Sequence, residues 1–196
     1  QVLLSNRALT VPVKTVAAQT QTIPDNSPNF QISLVRALSR MNAVFVSFIW
    51  QQGGAGDAPA LTNPHYHPTA VFANPSAVAP GHGDNNHREL SMEMQVAIGS
   101  KLTPETPISS MGEFFDNLQQ AIDTYDQSLR TVAITPTHYK HNSFIAGFNM
   151  CRVPGHFASG VNTRTGDLLT IKCKNLKGDM RNIRIFIHVL YEGVLE

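Results

Sequence analysis

The stretch NIRIFIHVLYEGVLE, residues 182–196, decides the fold class, because its apolar residues recur at every second position. One face of an extended chain carries Ile183, Ile185, Ile187, Val189 and Tyr191. The other face carries Arg184, Phe186, His188 and Leu190. Successive side chains of a β-strand point to opposite faces of the sheet, so the pattern predicts a strand with one core-facing side.

Comparable alternation predicts strands in earlier segments, at residues 9–14, 30–34, 43–50, 88–98, 144–148 and 166–174. Pro12 within the first segment indicates an edge strand or a bulge, because proline cannot donate to a ladder. Residues 43–50 are apolar on both faces and are expected to form a central strand. The polar spacer at residues 19–29 is interpreted as a loop, and Gly99 and Pro104 are expected to end the fourth strand.

One segment changes period and predicts the only long helix, at about residues 110–130. Its apolar residues fall three or four apart, as expected for one helix face: Met111, Phe114, Phe115, Leu118, Ala121, Ile122, Tyr125 and Leu129. Ser110 and Glu113 have the spacing of a capping box, in which each side chain accepts from the other residue's backbone N–H. We expect the apolar face to cover one end of a β-sandwich.

The order of these segments excludes a fold of alternating βαβ units. Three strands precede a long Pro- and Gly-rich excursion at residues 51–88, in which one short strand is expected near residues 69–72. A strand, the helix and three strands follow this excursion. The sequence therefore predicts an all-β, eight-stranded jelly-roll sandwich with one inserted amphipathic helix, as a single domain over residues 1–196.

Composition limits the function classes. Charged residues make up only 15% of the chain and the formal net charge is +1, so little direct nucleic-acid binding is expected. A mild basic bias in the last third is interpreted as a solvated strand face, with a weak nucleic-acid or partner contact as the alternative; it comprises Arg152, Arg164, Lys172, Lys174 and Lys177. No apolar run approaches the length of a membrane span. Cys151 and Cys173 are expected to be buried thiols, with a disulfide as the alternative.

Two patterns that contain histidine are considered as candidates for a metal site and for a catalytic pair. His65 and His67 form an H-x-H pair that could hold zinc, iron or copper, and His82 and His87 follow it. The H-x-H motif of cupins needs a glutamate a few residues later, and residues 68–74 supply none. Cys151 and His156 could form a nucleophile–base pair, but no third residue orients them. We therefore predict no catalytic, cofactor-binding or metal-binding residue.

Residues 143–174 resemble the C-terminal part of double jelly-roll major capsid proteins of eukaryotic DNA viruses, including polinton-like viruses and virophages. The likeness lies in a strand that ends at Gly147-Phe-Asn149, a loop, and the step GVNTRTGDL at residues 160–168. Residues 185–196 are similar to the closing strand of that family, and residues 93–107 suit its middle strand and the following helix. Over residues 88–196 the resemblance extends to individual motif residues, whereas over residues 1–50 only the strand pattern is similar.

The resemblance implies a structural protein that forms a homotrimer and tiles an icosahedral shell with neighbouring capsomers and other capsid proteins. It implies a location in the virion after assembly inside the host cell, and no cofactor. Family members carry two jelly rolls and only one fits here, so the resemblance implies the C-terminal half of a longer chain or a single-jelly-roll relative. A chain that lacks an initial Met and ends in a strand-like run agrees with a truncated or processed polypeptide.

Two other classes remain open from sequence. One is a non-viral jelly-roll module that binds carbohydrate or protein. The other is a cupin-like metal-dependent enzyme using His65 and His67.

Overall fold

The computed structural model describes residues 11–24, 27–50, 92–122, 139, 143–151, 160–163, 167–176 and 183–195. Within them lie eight strands: β1 (Val11–Thr22), β2 (Phe30–Leu34), β3 (Met41–Trp50), β4 (Glu93–Ile98), β5 (Lys101–Ile108), β6 (Ala146–Asn149), β7 (Leu169–Lys174) and β8 (Ile183–Leu195). One helix, α1 (Met111–Ala121), lies between β5 and β6. The helix ends at Ala121 with Ile122 as its C-cap, which is earlier than the predicted end near residue 130. Residues 123–130 and the 51–88 excursion lie outside the described residues.

The strands form two four-stranded antiparallel sheets that face each other. The first sheet has the order β1-β8-β3-β6 and the second has the order β2-β7-β4-β5. Among the described strands, only β4 and β5 are consecutive members of one sheet; every other connection crosses between the sheets. This order is that of a jelly roll, so the predicted fold class is confirmed.

The core lies between the inner faces of the two sheets. In β8 the predicted inner series Ile183, Ile185, Ile187 and Val189 is buried, while Tyr191 at its end is half-buried. In β7 the alternate residues Leu169, Ile171 and Cys173 are buried in the same way. The predicted central position of β3 is also confirmed, because it lies between β8 and β6.

Strand β5 was not expected, since Gly99 and Pro104 were predicted to end the preceding strand. Gly99, with a φ of 57°, instead makes the turn from β4 into β5. Pro104 is tolerated because β5 lies at a sheet edge, where a missing N–H costs no ladder bond. The Gln95 Nε2 group donates to the carbonyls of Pro104 and Glu105 at 2.8 and 3.0 Å, which compensates for the irregular ladder between β4 and β5.

Strand β1 is longer than the sequence predicted, because it continues to Thr22 through part of the expected loop at residues 19–29. Its polar end pairs with the long strand β8, with Thr20 opposite Phe186 and Thr22 opposite Arg184. Backbone pairing with β8 thus extends the strand without apolar side chains. The edge position indicated by Pro12 is confirmed.

Helix α1 begins with the predicted capping box. The Ser110 Oγ atom accepts from the Glu113 N–H at 3.2 Å, and the Glu113 carboxylate accepts from the Ser110 N–H at 3.1 Å. The same carboxylate accepts from the Ser109 N–H at 3.0 Å. Bonds from the Ser109 and Ser110 amides stabilise the charged form and lower the pKa of Glu113.

The helix packs on the edge strand β6 of the first sheet, not on one end of the sandwich as expected. Gly147 of β6 makes this contact close, since a Cβ atom there would lie 2.8 Å from the Leu118 Cα atom. Gly147 pairs with Phe45, whose neighbours Val44 and Val46 face the core. The helix therefore covers the outer face of the first sheet at its β6 edge.

An aromatic cluster joins α1 to the core. The rings of Phe114 and Phe144 meet edge to face with centroids 5.4 Å apart, and Phe144 also lies 5.4 Å from Tyr139 and 6.5 Å from Phe48. The Tyr139 hydroxyl donates to the Ile145 carbonyl at 2.7 Å, and burial raises the pKa of Tyr139. These rings anchor the helix through dispersion contacts and loss of apolar surface from water.

Candidate functional site

A short segment, residues 160–163, lies beside the start of β3 and contains the first half of the motif that carried the family resemblance. Met41 and Val161 exchange both backbone hydrogen bonds, at 2.8 and 3.0 Å, as an isolated antiparallel bridge. The Thr163 N–H then donates to the Leu38 carbonyl at 2.9 Å. The segment therefore holds the chain entering β3, and we call residues 38–42 with 160–163 the clamp.

The Thr163 side chain closes one end of the clamp. Its buried hydroxyl oxygen accepts from the Leu38 N–H at 2.9 Å and lies 3.1 Å from the Leu38 carbonyl, to which it can donate. Buried backbone groups need such partners, because they have given up their bonds to water.

Replacing Thr163 by valine should lower the free energy of unfolding by about 1–3 kcal/mol, because the buried Leu38 N–H loses its acceptor while volume is kept. Thr163→Ser retains the hydroxyl and is the matched control. Urea denaturation of both variants measures the difference. Equal stability of the valine variant and wild type would show that the hydroxyl does not support the clamp.

Gly160 occupies a position in the clamp where no side chain fits. A Cβ atom would lie 2.5 Å from the Met41 carbonyl oxygen and 2.7 Å from the Asn42 Oδ1 atom. The glycine of the GVNTRTGDL motif thus has a steric role in this chain, which is to let two backbones touch.

A polar cluster lies against the clamp and consists of the buried Asn42 and Glu192 with the exposed Arg40. Asn42 is the extra residue of a β-bulge between Met41 and Ala43, and its Nδ2 group donates to the Glu192 Oε1 atom at 3.1 Å. Glu192 is only 3% exposed, and the Arg40 guanidinium lies 3.9 Å from its Oε2 atom. The Asn42 Oδ1 atom is buried and accepts no hydrogen bond from the described residues.

In this cluster an amide and a guanidinium surround one buried carboxylate, which is how a charge is stabilised away from water. Within the described ranges, no three His, Cys, Asp or Glu side chains are grouped so that they could hold a metal ion.

The outer face of the first sheet is partly apolar. In β8 the outward residues Phe186, His188 and Leu190 are half-buried, and Phe45 of β3 lies beside His188. Val16 of the edge strand β1 faces the same way opposite Leu190 and is 58% exposed. Helix α1 packs on this face at β6 and, among the described elements, leaves the part formed by β1, β8 and β3 outside its main contact.

Of the histidines and cysteines considered from sequence, the structure describes only the two cysteines. His65, His67, His82, His87 and His156 lie outside the described residues. Cys151 and Cys173 form no disulfide. The Cys151 thiol points to the Asn42 carbonyl at 3.6 Å, and burial raises the pKa of Cys173 to about 12, as expected for an inert core thiol.

The basic residues of the last third are only partly described. Lys172 and Lys174 point away from the core on β7, with Lys174 exposed, which agrees with a solvated strand face. Arg152, Arg164 and Lys177 lie outside the described residues.

Sequence reasoning missed the cluster of Arg40, Asn42 and Glu192. A signal existed, because Glu192 is the only acidic residue within the strand-like stretch before Glu196. Its partner at Asn42 could not be inferred, since the pairing spans 150 positions and depends on a bulge.

No known protein-family model matches this chain. The curated proteins include no match to it either. No helix in the described part of the chain is long and apolar enough to cross a membrane.

Proposed function

We propose that this protein is a structural component of a viral capsid, related to double jelly-roll major capsid proteins. In this proposal it forms homotrimers, the trimers contact neighbouring capsomers and other capsid proteins, and the product is an icosahedral shell. The observation that carries the proposal is the strand order β1-β8-β3-β6 and β2-β7-β4-β5. Viral capsid proteins are one of the main groups that use the jelly roll.

Lectin domains and cupins also use this architecture, so two further observations support the choice. Gly160 and Thr163, which belong to the capsid-like motif, make specific contacts in the clamp. The outer face of the first sheet also presents apolar residues on a chain with few charges, as expected of a surface that neighbouring subunits cover.

The direct test is the assembly state of the purified chain. Size-exclusion chromatography with light scattering should give the mass of a trimer of the 21.5 kDa chain, or of an assembly of trimers, and electron microscopy should show regular particles. A monomer with affinity for glycans would contradict the proposal and favour the binding module. Stoichiometric zinc, iron or copper that is lost on His65→Ala would favour the cupin-like enzyme.

A pair of charge variants tests whether the outer face of the first sheet is buried on assembly. Phe186→Glu places a carboxylate on that face, and the assembled mass should fall because an unpaired charge is costly inside an interface. Gln31→Glu places the same group on an exposed position of the second sheet and should leave the mass unchanged. An unchanged mass for both variants would exclude this face from the contacts.

A further inference from the structure

Edge strands present unpaired backbone N–H and C=O groups that can pair with another chain. The four edge strands of the two described sheets differ in how strongly they oppose such pairing. Strand β6 is only four residues long and carries α1 on its outer face, and β5 contains Pro104 and Pro107. Strand β2 is short, and the Gln19 Nε2 group donates to its Ser33 carbonyl at 3.4 Å. These three edges therefore carry features that oppose pairing with another strand.

Strand β1 is the fourth edge. Pro12 and Lys14 near its start also oppose pairing, but beyond them this strand carries neither proline nor charge. It is 12 residues long, and no described strand pairs with the side that faces away from β8. Val16, Ala18, Thr20 and Thr22 are all exposed. The only charged residue in this strand is Lys14. A long edge with little charge is a template for a further strand.

The hydrogen bonding next to β8 shows which backbone groups form this open edge. The Ile23 N–H donates to the Ile183 carbonyl at 2.9 Å, in the same register that pairs β1 with β8. Because an antiparallel ladder alternates, odd-numbered residues of β1 point their backbone groups to β8, and even-numbered residues point away. Pro12 is even-numbered, so its missing N–H costs no bond to β8.

We propose that the open edge of β1, from Lys14 to Thr20, pairs with β1 of a second copy of this chain. The two strands run antiparallel about a two-fold axis centred on Ala17. In this register Val16 faces Ala18 of the second copy, and the reverse pair forms on the other side of the axis. The full ladder ends at the pairs of Lys14 with Thr20, because Thr22 would face Pro12, which has no N–H to donate. The first sheets of the two copies then join into one continuous sheet.

The strand is complementary to itself in this arrangement. Even-numbered residues meet even-numbered residues, so outward N–H groups face outward carbonyls, and outer faces meet outer faces. Small side chains, Ala17 and Ala18, lie at the centre, with the exposed Val16 beside them. Lys14 faces Thr20 of the second copy, so no like charges oppose each other. An uncharged strand centre does not select a charged partner, which favours a second copy.

This inference goes beyond the proposed function, because it requires only two copies and holds whether or not copies also form trimers. The two proposals therefore fail separately. Loss of the β1 contact would leave trimers intact, and absence of trimers would leave a two-fold dimer.

Cysteine cross-linking tests the register directly. Val16→Cys and Ala18→Cys are prepared separately in a Cys151→Ser background, mixed, and oxidised. Residues that face each other in a hydrogen-bonded pair have Cα atoms about 5.5 Å apart, which is within disulfide range. We expect a covalent dimer in the mixture and little in either variant alone. Absence of a cross-link in the mixture would overturn the proposal.

Ala18→Pro tests the backbone contact in the whole chain. Proline removes an outward N–H and leaves the bonds to β8, as Pro12 already does, so the variant should fold and lose the association. Ala18→Ser keeps the N–H and is the matched control. Sedimentation across a concentration series should show a twofold rise in mass for wild type and Ala18→Ser, and none for Ala18→Pro. An equal rise in all three would overturn the proposal, and the cross-linking result decides if Ala18→Pro fails to fold.

Discussion

Phe144→Ala should lower the free energy of unfolding by about 3–5 kcal/mol, the usual cost of removing a buried phenylalanine ring. Phe144 is 1% exposed and touches rings from the helix and from β3, namely Phe114 and Phe48. Its removal leaves a cavity between α1 and the core, which the surrounding β-structure cannot fully close. Urea denaturation followed by circular dichroism measures the loss.

The neighbouring residue provides the control for this prediction. Ile145 is 39% exposed, so Ile145→Ala should cost only about 0.5 kcal/mol under the same conditions. Similar losses for the two variants would mean that the aromatic cluster does not anchor the helix.

Asn42→Asp should lower the free energy of unfolding by about 3 kcal/mol or more at neutral pH. The Asn42 amide now donates to Glu192 at 3.1 Å, so the variant would place two carboxylates in contact in a buried position. Arg40 lies 3.9 Å from the second carboxylate oxygen and cannot compensate for both charges. Breaking a buried charge network in this way carries a penalty of several kcal/mol.

The pH dependence separates this electrostatic penalty from simple loss of a hydrogen bond. Repulsion raises the pKa of the introduced carboxyl above its unfolded value, so the protonated form is favoured in the folded state. The penalty is therefore largest at neutral pH and shrinks as the pH falls through the folded pKa. Asn42→Ala should cost about 1–3 kcal/mol and recover much less in acid, because it introduces no second carboxylate. Parallel pH profiles for the two variants would contradict the explanation.

Sequence periodicity was sufficient to predict the strands and the helix that bury only one of their faces. In β8, β7 and α1 the apolar residues follow the period of the element, because each packs a single face against the core. The capping box could be predicted for the same reason, since all of its partners lie within four residues.

The elements that were missed depend on partners distant in sequence. The polar end of β1 is a strand because β8 lies beside it, and β5 tolerates Pro104 because it lies at an edge. The clamp requires residues 38–42 and 160–163 to meet, which only the completed sandwich brings about. Local propensity cannot supply these contacts.

The length of β6 has a consequence for the size of any assembly built through β1. Among the described strands, β1 and β6 are the two ends of the first sheet, and β6 is only four residues long. A sheet with two exposed ends can add copies head to tail without limit, which is the geometry of fibres. Here a second copy joined at β1 would present only two short β6 ends, which offer few backbone groups to a further strand, so growth through backbone pairing would stop at two chains. The shortness of β6 would thereby make this association self-limiting.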